Sequence, residues 1–190
     1  MDFGSPNPVT PLPPSVALTR GFVGGTPQAK PAQAQGATFE ARQGFRIGGL
    51  RLMVRYADGS ELTEMPRLHR LPNVPSWLLG IANLHGMLVP VFDLAGWAGL
   101  AGAAPEPALR RMLLVLAHGA DAAGVVIDGL PQRLRWAADQ KADAATAPAR
   151  LAPYVHGAAL IDGALWFDID RAALLEAIEE SIARTSSNGN

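Results

Sequence analysis

The chain has 190 residues, of which 48% are hydrophobic and 17% charged, with a formal net charge of −1 and no cysteine. This balance supplies a substantial interior and offers no basic excess for a nucleic-acid backbone. It also excludes disulfides, thiolate metal sites and cysteine nucleophiles.

Residues 1–41 carry Pro6, Pro8, Pro11, Pro13, Pro14, Pro27 and Pro31 among glycines and an Ala/Gln stretch. Such a segment buries too little apolar surface to offset its ordering entropy and reads as a disordered arm. Its P-x-x-P spacings, Pro8–Pro11 and Pro11–Pro14, fit a Pro-rich linker better than an SH3 ligand. The start, Met1-Asp2-Phe3-Gly4-Ser5-Pro6, lacks the basic and apolar stretches of a signal peptide. No apolar run approaches the ~18 residues of a membrane span, so a cytoplasmic protein without direct membrane insertion is expected.

Residues 42–184 read as the folded domain. Phe45 and Ile47, then Leu50, Leu52 and Val54, alternate around Gly48-Gly49 as two short strands. Asp58-Gly59 is a hairpin signal between two strand-like stretches. A short helix is expected over Pro75–Leu79. The apolar runs Met112–Ala117 and Val125–Ile127 are joined by His118-Gly119-Ala120-Asp121 as a second hairpin, and Leu160–Ile169 holds a third that turns at Asp162-Gly163. Two loops stand between them, Ala101–Leu109 and Ala142–Ala149. Leu174, Ile178 and Ile182 fall at helical spacing behind Asp170, a capping residue, and residues 185–190 form a polar tail. Short strands with Gly-bearing turns and no alternating helices argue for small barrels or a sandwich, not a parallel α/β sheet.

A faint duplication runs through this pattern. With Gly80 set against Gly157, Ile81 meets Ala158, Ala82 meets Ala159, Leu84 meets Ile161, Gly86 meets Gly163, Leu88 meets Leu165, Phe92 meets Ile169 and Asp93 meets Asp170. Trp77 and Tyr154 stand three residues before each glycine. One strand–turn–strand unit therefore occurs twice, 77 residues apart, which predicts two similar small β-barrels in one body.

The first copy, Trp77-Leu78-Leu79-Gly80-Ile81-Ala82-Asn83-Leu84-His85-Gly86-Met87-Leu88-Val89-Pro90-Val91-Phe92-Asp93-Leu94, resembles the signature of CheW-like proteins. That pattern is apolar-x-Gly-apolar-x-Asn-Leu-Arg-Gly, then a strand holding Pro and ending Asp-Leu. Gly44-Phe45-Arg46-Ile47-Gly48-Gly49 is similar to the family's opening strand, Gly124-Val125-Val126-Ile127-Asp128 to a later one, and Pro153–Asp170 to its closing unit. The resemblance spans residues 44 to about 178 and implies a mainly β fold: two intertwined, SH3-like, five-stranded β-barrels with a C-terminal α-helix. It further implies a non-catalytic adaptor whose partners are the regulatory domain of a CheA-type histidine kinase and the cytoplasmic tip of a methyl-accepting chemoreceptor, at membrane-associated receptor arrays. The Pro-rich arm and the opening strand resemble the versions that serve type IV pilus twitching.

By the same resemblance, the receptor and kinase interface involves Glu61, Asn83, His85, Gly86, Val89 and Val91. The family's arginine in Asn-Leu-Arg-Gly is His85 here. A histidine accepts or donates a single bond to Glu61 and lacks the arginine fork. Contact with Glu61 favours the charged imidazole, which makes such a pair pH-sensitive near neutrality. The alternative, an exposed turn histidine without a partner, stays open. Whether Val89 and Val91 line an interface or the core also stays open.

No cofactor is expected. His69, His85, His118 and His156 have no metal-ligand spacing, and no nucleophile elbow, phosphate loop or dinucleotide fingerprint occurs. Asp168 and Asp170 share a strand face, and read as a strand end and a helix cap. Trp77, Trp97, Trp136 and Trp166 sit among apolar neighbours, which suits packing better than nucleic-acid stacking. The rival reading is an OB-like nucleic-acid or small-ligand binding barrel.

Overall fold

The computed structural model describes residues 40–100, 109–137 and 140–187. Twelve strands and two helices follow one another: β1 (Glu40–Ile47), β2 (Leu50–Arg55), β3 (Gly59–Glu64), β4 (Leu68–His69), β5 (Leu78–Leu84), β6 (Met87–Phe92), α1 (Leu94–Trp97), β7 (Arg111–Leu116), β8 (Ala123–Asp128), β9 (Gln132–Trp136), β10 (Lys141–Ala142), β11 (Val155–Ile161), β12 (Ala164–Ile169) and α2 (Arg171–Ser187). They form two sheets, ordered β10-β11-β12-β2-β1-β9 and β4-β5-β6-β8-β7-β3. Each sheet has five longer strands and a two-residue edge strand, so the expected mainly β fold with a C-terminal helix is observed.

The hairpins form where glycine allows them. Gly48-Gly49, His85-Gly86 and Asp162-Gly163 all have positive φ at both central residues, the twist that matches a right-handed strand pair. Asp58-Gly59 does not make a hairpin. Gly59 has an extended φ of −84° after a 3₁₀ turn at Tyr56–Asp58, and the chain leaves the first sheet at β2 to enter the second at β3. The helix expected over Pro75–Leu79 is a single turn, closed by Leu78 N–H donating to Pro75 C=O at 3.0 Å. From Leu78 onward the residues are claimed by pairing with β6. The Ala142–Ala149 loop opens on the end of β10. The expected arm and the Ala101–Leu109 loop fall almost wholly outside the described residues, although Glu40 and Ala41 already belong to β1, paired with Trp136 and Arg135 of β9. Helix α2 runs through Ser187, into the expected polar tail.

The duplication is exact in register. Leu78 opposes Phe92 and Gly80 opposes Val91 across a bulge; Val155 opposes Ile169 and Gly157 opposes Asp168 across another. Ile81 faces His69 on β4, and Ala158 faces Ala142 on β10. Asp93 accepts from Gly96 N–H at 3.1 Å to cap α1, and Asp170 accepts from Ala173 N–H at 3.1 Å to cap α2. The repeat extends further than the sequence indicates. β6 runs parallel to β8 and β12 runs parallel to β2, so the β7–β8 hairpin stands where β1–β2 stands in the other sheet. β3 flanks β7 as β9 flanks β1. Each sheet thus combines the opening hairpin of one half with the later strands of the other.

The main core takes Phe45, Leu52, Leu114, Val125 and Ile127 from facing strands and Leu174 and Ile178 from α2. A second cluster, including Ala82, Leu84, Val89, Val91, Leu113 and Val115, fills the lobe built on the second sheet. A third, Met53, Leu134, Ala159, Ile161 and Trp166, fills the lobe built on the first. Register equates Asp168 with Val91 and Arg42 with Leu113. Where the second lobe has two apolar residues, the first has a part-buried bidentate ion pair, Arg42 Nε and Nη2 donating to the two Asp168 oxygens at 2.9 Å each. The expected strand end and cap at Asp168 and Asp170 are therefore an ion-pair partner and a cap.

Breaking that pair removes two charge-assisted hydrogen bonds. Asp168→Asn is expected to lower unfolding stability by roughly 1.5–3 kcal/mol, read by urea denaturation. The double substitution Arg42→Leu with Asp168→Val, which copies the other lobe, is expected to restore most of the loss. The Asp170 carboxyl is held below its ordinary 3.8, first by the Ala173 N–H, with His156 and Arg55 assisting against the effect of burial. A lowered folded-state pKa gives stability that is present above 3.8 and lost as pH falls through the folded value. Asp170→Ala is therefore expected to cost about 1 kcal/mol at pH 7, and the gap from the parent should close below pH 3.8 in pH-dependent unfolding.

Candidate functional site

The residues singled out in the sequence converge on one end of the second lobe. Glu61 lies on β3, which pairs with β7, and His85 sits at the tip of the β5–β6 hairpin. His85 Nε2 and Glu61 Oε1 are 3.0 Å apart, so the histidine has a partner across two strands that are not neighbours. His85 takes φ +50°, a left-handed conformation uncommon outside glycine, asparagine, aspartate and histidine. The pair lies at the surface, with the side chains 78% and 35% exposed.

Asn83 and Gly86 serve the turn itself. Asn83 Oδ1 accepts from Gly86 N–H at 2.9 Å, and Gly86 has φ +87° with open space around it. Both hold His85 in place from beneath. Val89 and Val91, placed at the interface by resemblance, are 1% and 0% exposed. Alternation along β6 turns both into the second cluster, so they are core residues.

Val89 has a second role as a floor. It lines a groove of about 210 Å³ with Glu61, Leu84, Met87, Val115, Ala117, His118, Gly119 and Ala122. Met87 is 47% exposed at its mouth. Leu84 and Met87 are legible in the sequence, since they flank the His85-Gly86 turn on the face of Val89. Val115 and the Ala117–Ala122 rim are not, because nothing local shows that β7 lies between β3 and β8.

Larger hollows elsewhere are less suggestive. One of about 420 Å³ is lined by Arg42, Arg55, Asp58, His156, Asp168 and the start of α2. Its carboxylates are taken up internally: Asp168 by Arg42, Asp170 by His156 at 3.3 Å and Asp58 by Arg171 at 3.5 Å. Trp97 and Trp166 are buried, Trp97 packed between Tyr154 and Arg150, while Trp77 and Trp136 are half-buried. Among the described residues, no group of three or more His, Asp or Glu is placed to hold a metal ion, and no helix is long and apolar enough to cross a membrane.

The CheW-like domain pattern matches residues 43–179, which span both sheets and the first half of α2. The chain belongs to the CheW-like domain family. It is 31% identical over 128 residues to Protein PilI of Pseudomonas aeruginosa, covering 67% of this chain and 71% of that protein. It is 28% identical over 86 residues to a probable chemotaxis protein CheW of Rhizobium etli, covering 45% of this chain and 54% of that one. Among solved structures, the scaffolding protein TtCheW of Thermoanaerobacter tengcongensis superposes with a TM-score of 0.59 at 18% identity, covering 69% of this chain and 88% of that one. That likeness supports the fold of two small β-barrels.

An exposed side-chain contact of this kind contributes little to stability. A double-mutant cycle of Glu61→Ala and His85→Ala is expected to give a coupling of about 0.2–1 kcal/mol in urea unfolding, small enough for both residues to be altered without unfolding the domain.

Proposed function

We propose that this chain is a non-catalytic adaptor that couples the cytoplasmic tip of a methyl-accepting chemoreceptor to the regulatory domain of a CheA-type histidine kinase at a receptor array. The observation that carries this reading is the Glu61–His85 pair set over an apolar groove on a CheW-like fold. An apolar floor with a charged rim is the anatomy of a protein-binding surface, in which the floor supplies affinity and the rim supplies orientation. The resemblance of the opening strand to the pilus versions, with the match to PilI, favours twitching signalling as the setting.

His85 in place of arginine changes the rim without removing it. Arginine offers a fixed fork of donors where histidine offers one bond at a time. Glu61→Ala is expected to weaken association with the purified cytoplasmic tip of the cognate receptor by about 5–30-fold, roughly 1–2 kcal/mol, the scale of a contributing contact below the hot-spot range. His85→Arg is expected to preserve or strengthen it. Isothermal titration calorimetry with the receptor tip, and separately with the kinase regulatory domain, checks both. Unchanged receptor affinity in Glu61→Ala contradicts the pairing, and salt-sensitive oligonucleotide binding without kinase-domain binding contradicts the adaptor reading.

A further inference from the structure

A hollow of about 520 Å³ opens in the second lobe and shares no residue with the groove under Glu61 and His85. It lies where the chain passes from β4 to β5. β4 is drawn close to β5 at Gly80, where a Cβ would stand 2.5 Å from the His69 carbonyl oxygen, and the connection between them closes a turn at Pro75–Leu78. Leu68, Leu71, Val74, Pro75, Leu78 and Leu79 wall the space. Only Leu78 among them is buried; Leu71 is 39% exposed and the other four are half-buried. The space is therefore bounded by open apolar surface and is not a closed part of the core. Two arginines complete the lining, Arg70 just after β4 and Arg111 at the start of β7, and no acidic residue does. Both are exposed, and among the described residues neither has a hydrogen-bond or ion-pair partner. The carboxylates on neighbouring strands are engaged elsewhere: Glu64 with Arg110 at 2.8 Å, and Asp128, opposite Arg111 across β7 and β8, with the Gly48 N–H at 2.7 Å. The fold does not require a cation here. Shared register sets Leu68 against Lys141, so the residue of the first lobe in the place of Arg70 is Asp143.

We propose that this hollow binds a free amphiphilic carboxylate of the medium-chain fatty-acid class, with its tail along the leucines and its carboxylate on Arg70 and Arg111. The volume falls in the range of small-ligand pockets, roughly 300–1,000 Å³, and an apolar wall with a few convergent polar groups is their usual make-up. A planar guanidinium meets a carboxylate with two parallel hydrogen bonds, and the exposed Ser76 at the mouth offers one more donor. Arg70 and Arg111 stand 41 positions apart in the sequence and are brought to one rim only by the order of strands in the sheet. The chain thereby carries a small-molecule input distinct from the surface proposed for the receptor, and the inference does not rest on that proposal.

Decanoate below its micellar concentration is the probe, with decyltrimethylammonium as the same tail on the opposite charge and acetate as the head without the tail. In methyl-resolved NMR of the full chain, decanoate is expected to shift the Leu68, Leu71, Val74 and Leu79 signals saturably and to leave Met87 unmoved. It should bind at least about tenfold tighter than either control. Arg70→Ala and Arg111→Ala, changes at exposed side chains, are each expected to weaken decanoate binding about tenfold, the loss of one charge-assisted pair. Equal binding of decyltrimethylammonium overturns the proposal, because adsorption of the tail alone then accounts for the shifts. Decanoate affinity unchanged in both arginine variants overturns it as well. Cosedimentation with phosphatidylglycerol vesicles without saturable decanoate binding overturns it in favour of a membrane-facing surface.

Discussion

Two parallel strand pairs hold the domain together, β6 against β8 and β12 against β2, and each joins strands from opposite halves of the repeat. Without them each half would present a hairpin with unpaired backbone on one side and a separate group of strands on the other. Unpaired strand edges are costly when buried and prone to association when exposed. The exchange removes both problems, and it explains why the main core draws on both sheets and on α2. It also sets the site. Glu61 reaches His85 because β3, leaving the first sheet after β2, crosses to the edge of the second beside β7.

The two lobes share one backbone plan and differ in how it is filled. In the first, a charged pair replaces two apolar residues and an indole fills the end of the barrel over a glycine. In the second, the buried cluster is apolar, with valines, Val89 and Val115, at the positions of that indole and glycine. Close packing makes such differences consequential, since a side chain gained or lost at one position decides whether space is closed or available.

Much of this was legible in the sequence where the chemistry is local. Glycine pairs and Asp-Gly marked the turns at Gly48 and Asp162, the spacing of Leu174 and Ile178 marked α2, and Asp93 and Asp170 sat where caps were needed. Matching Gly80 to Gly157 recovered the equivalence of the two strand–turn–strand units, though not the bulge each contains. Failures arose where pairing is remote. Asp58-Gly59 has the composition of a hairpin, yet its flanking strands find better partners in different sheets. Pro75–Leu79 starts like a helix, yet Leu78 pairs with Phe92. Arg42 and Asp168 lie 126 residues apart, and Val115 meets the Val89 groove only through the order of strands in a sheet. No local pattern carries such contacts.

The central proposal is that the end of the second lobe that carries Glu61 and His85, and not the matching end of the first, receives the receptor. Because the chain has no cysteine of its own, single cysteines report cleanly. Met87→Cys and, at the matching register, Ala164→Cys would each be combined with single cysteines placed along the receptor tip, and disulfide formation measured under mild oxidation. The account predicts cross-links from position 87 that recur every three to four residues along one face of the receptor helix, and none from position 164. Cross-links from position 164 with none from position 87 would contradict it.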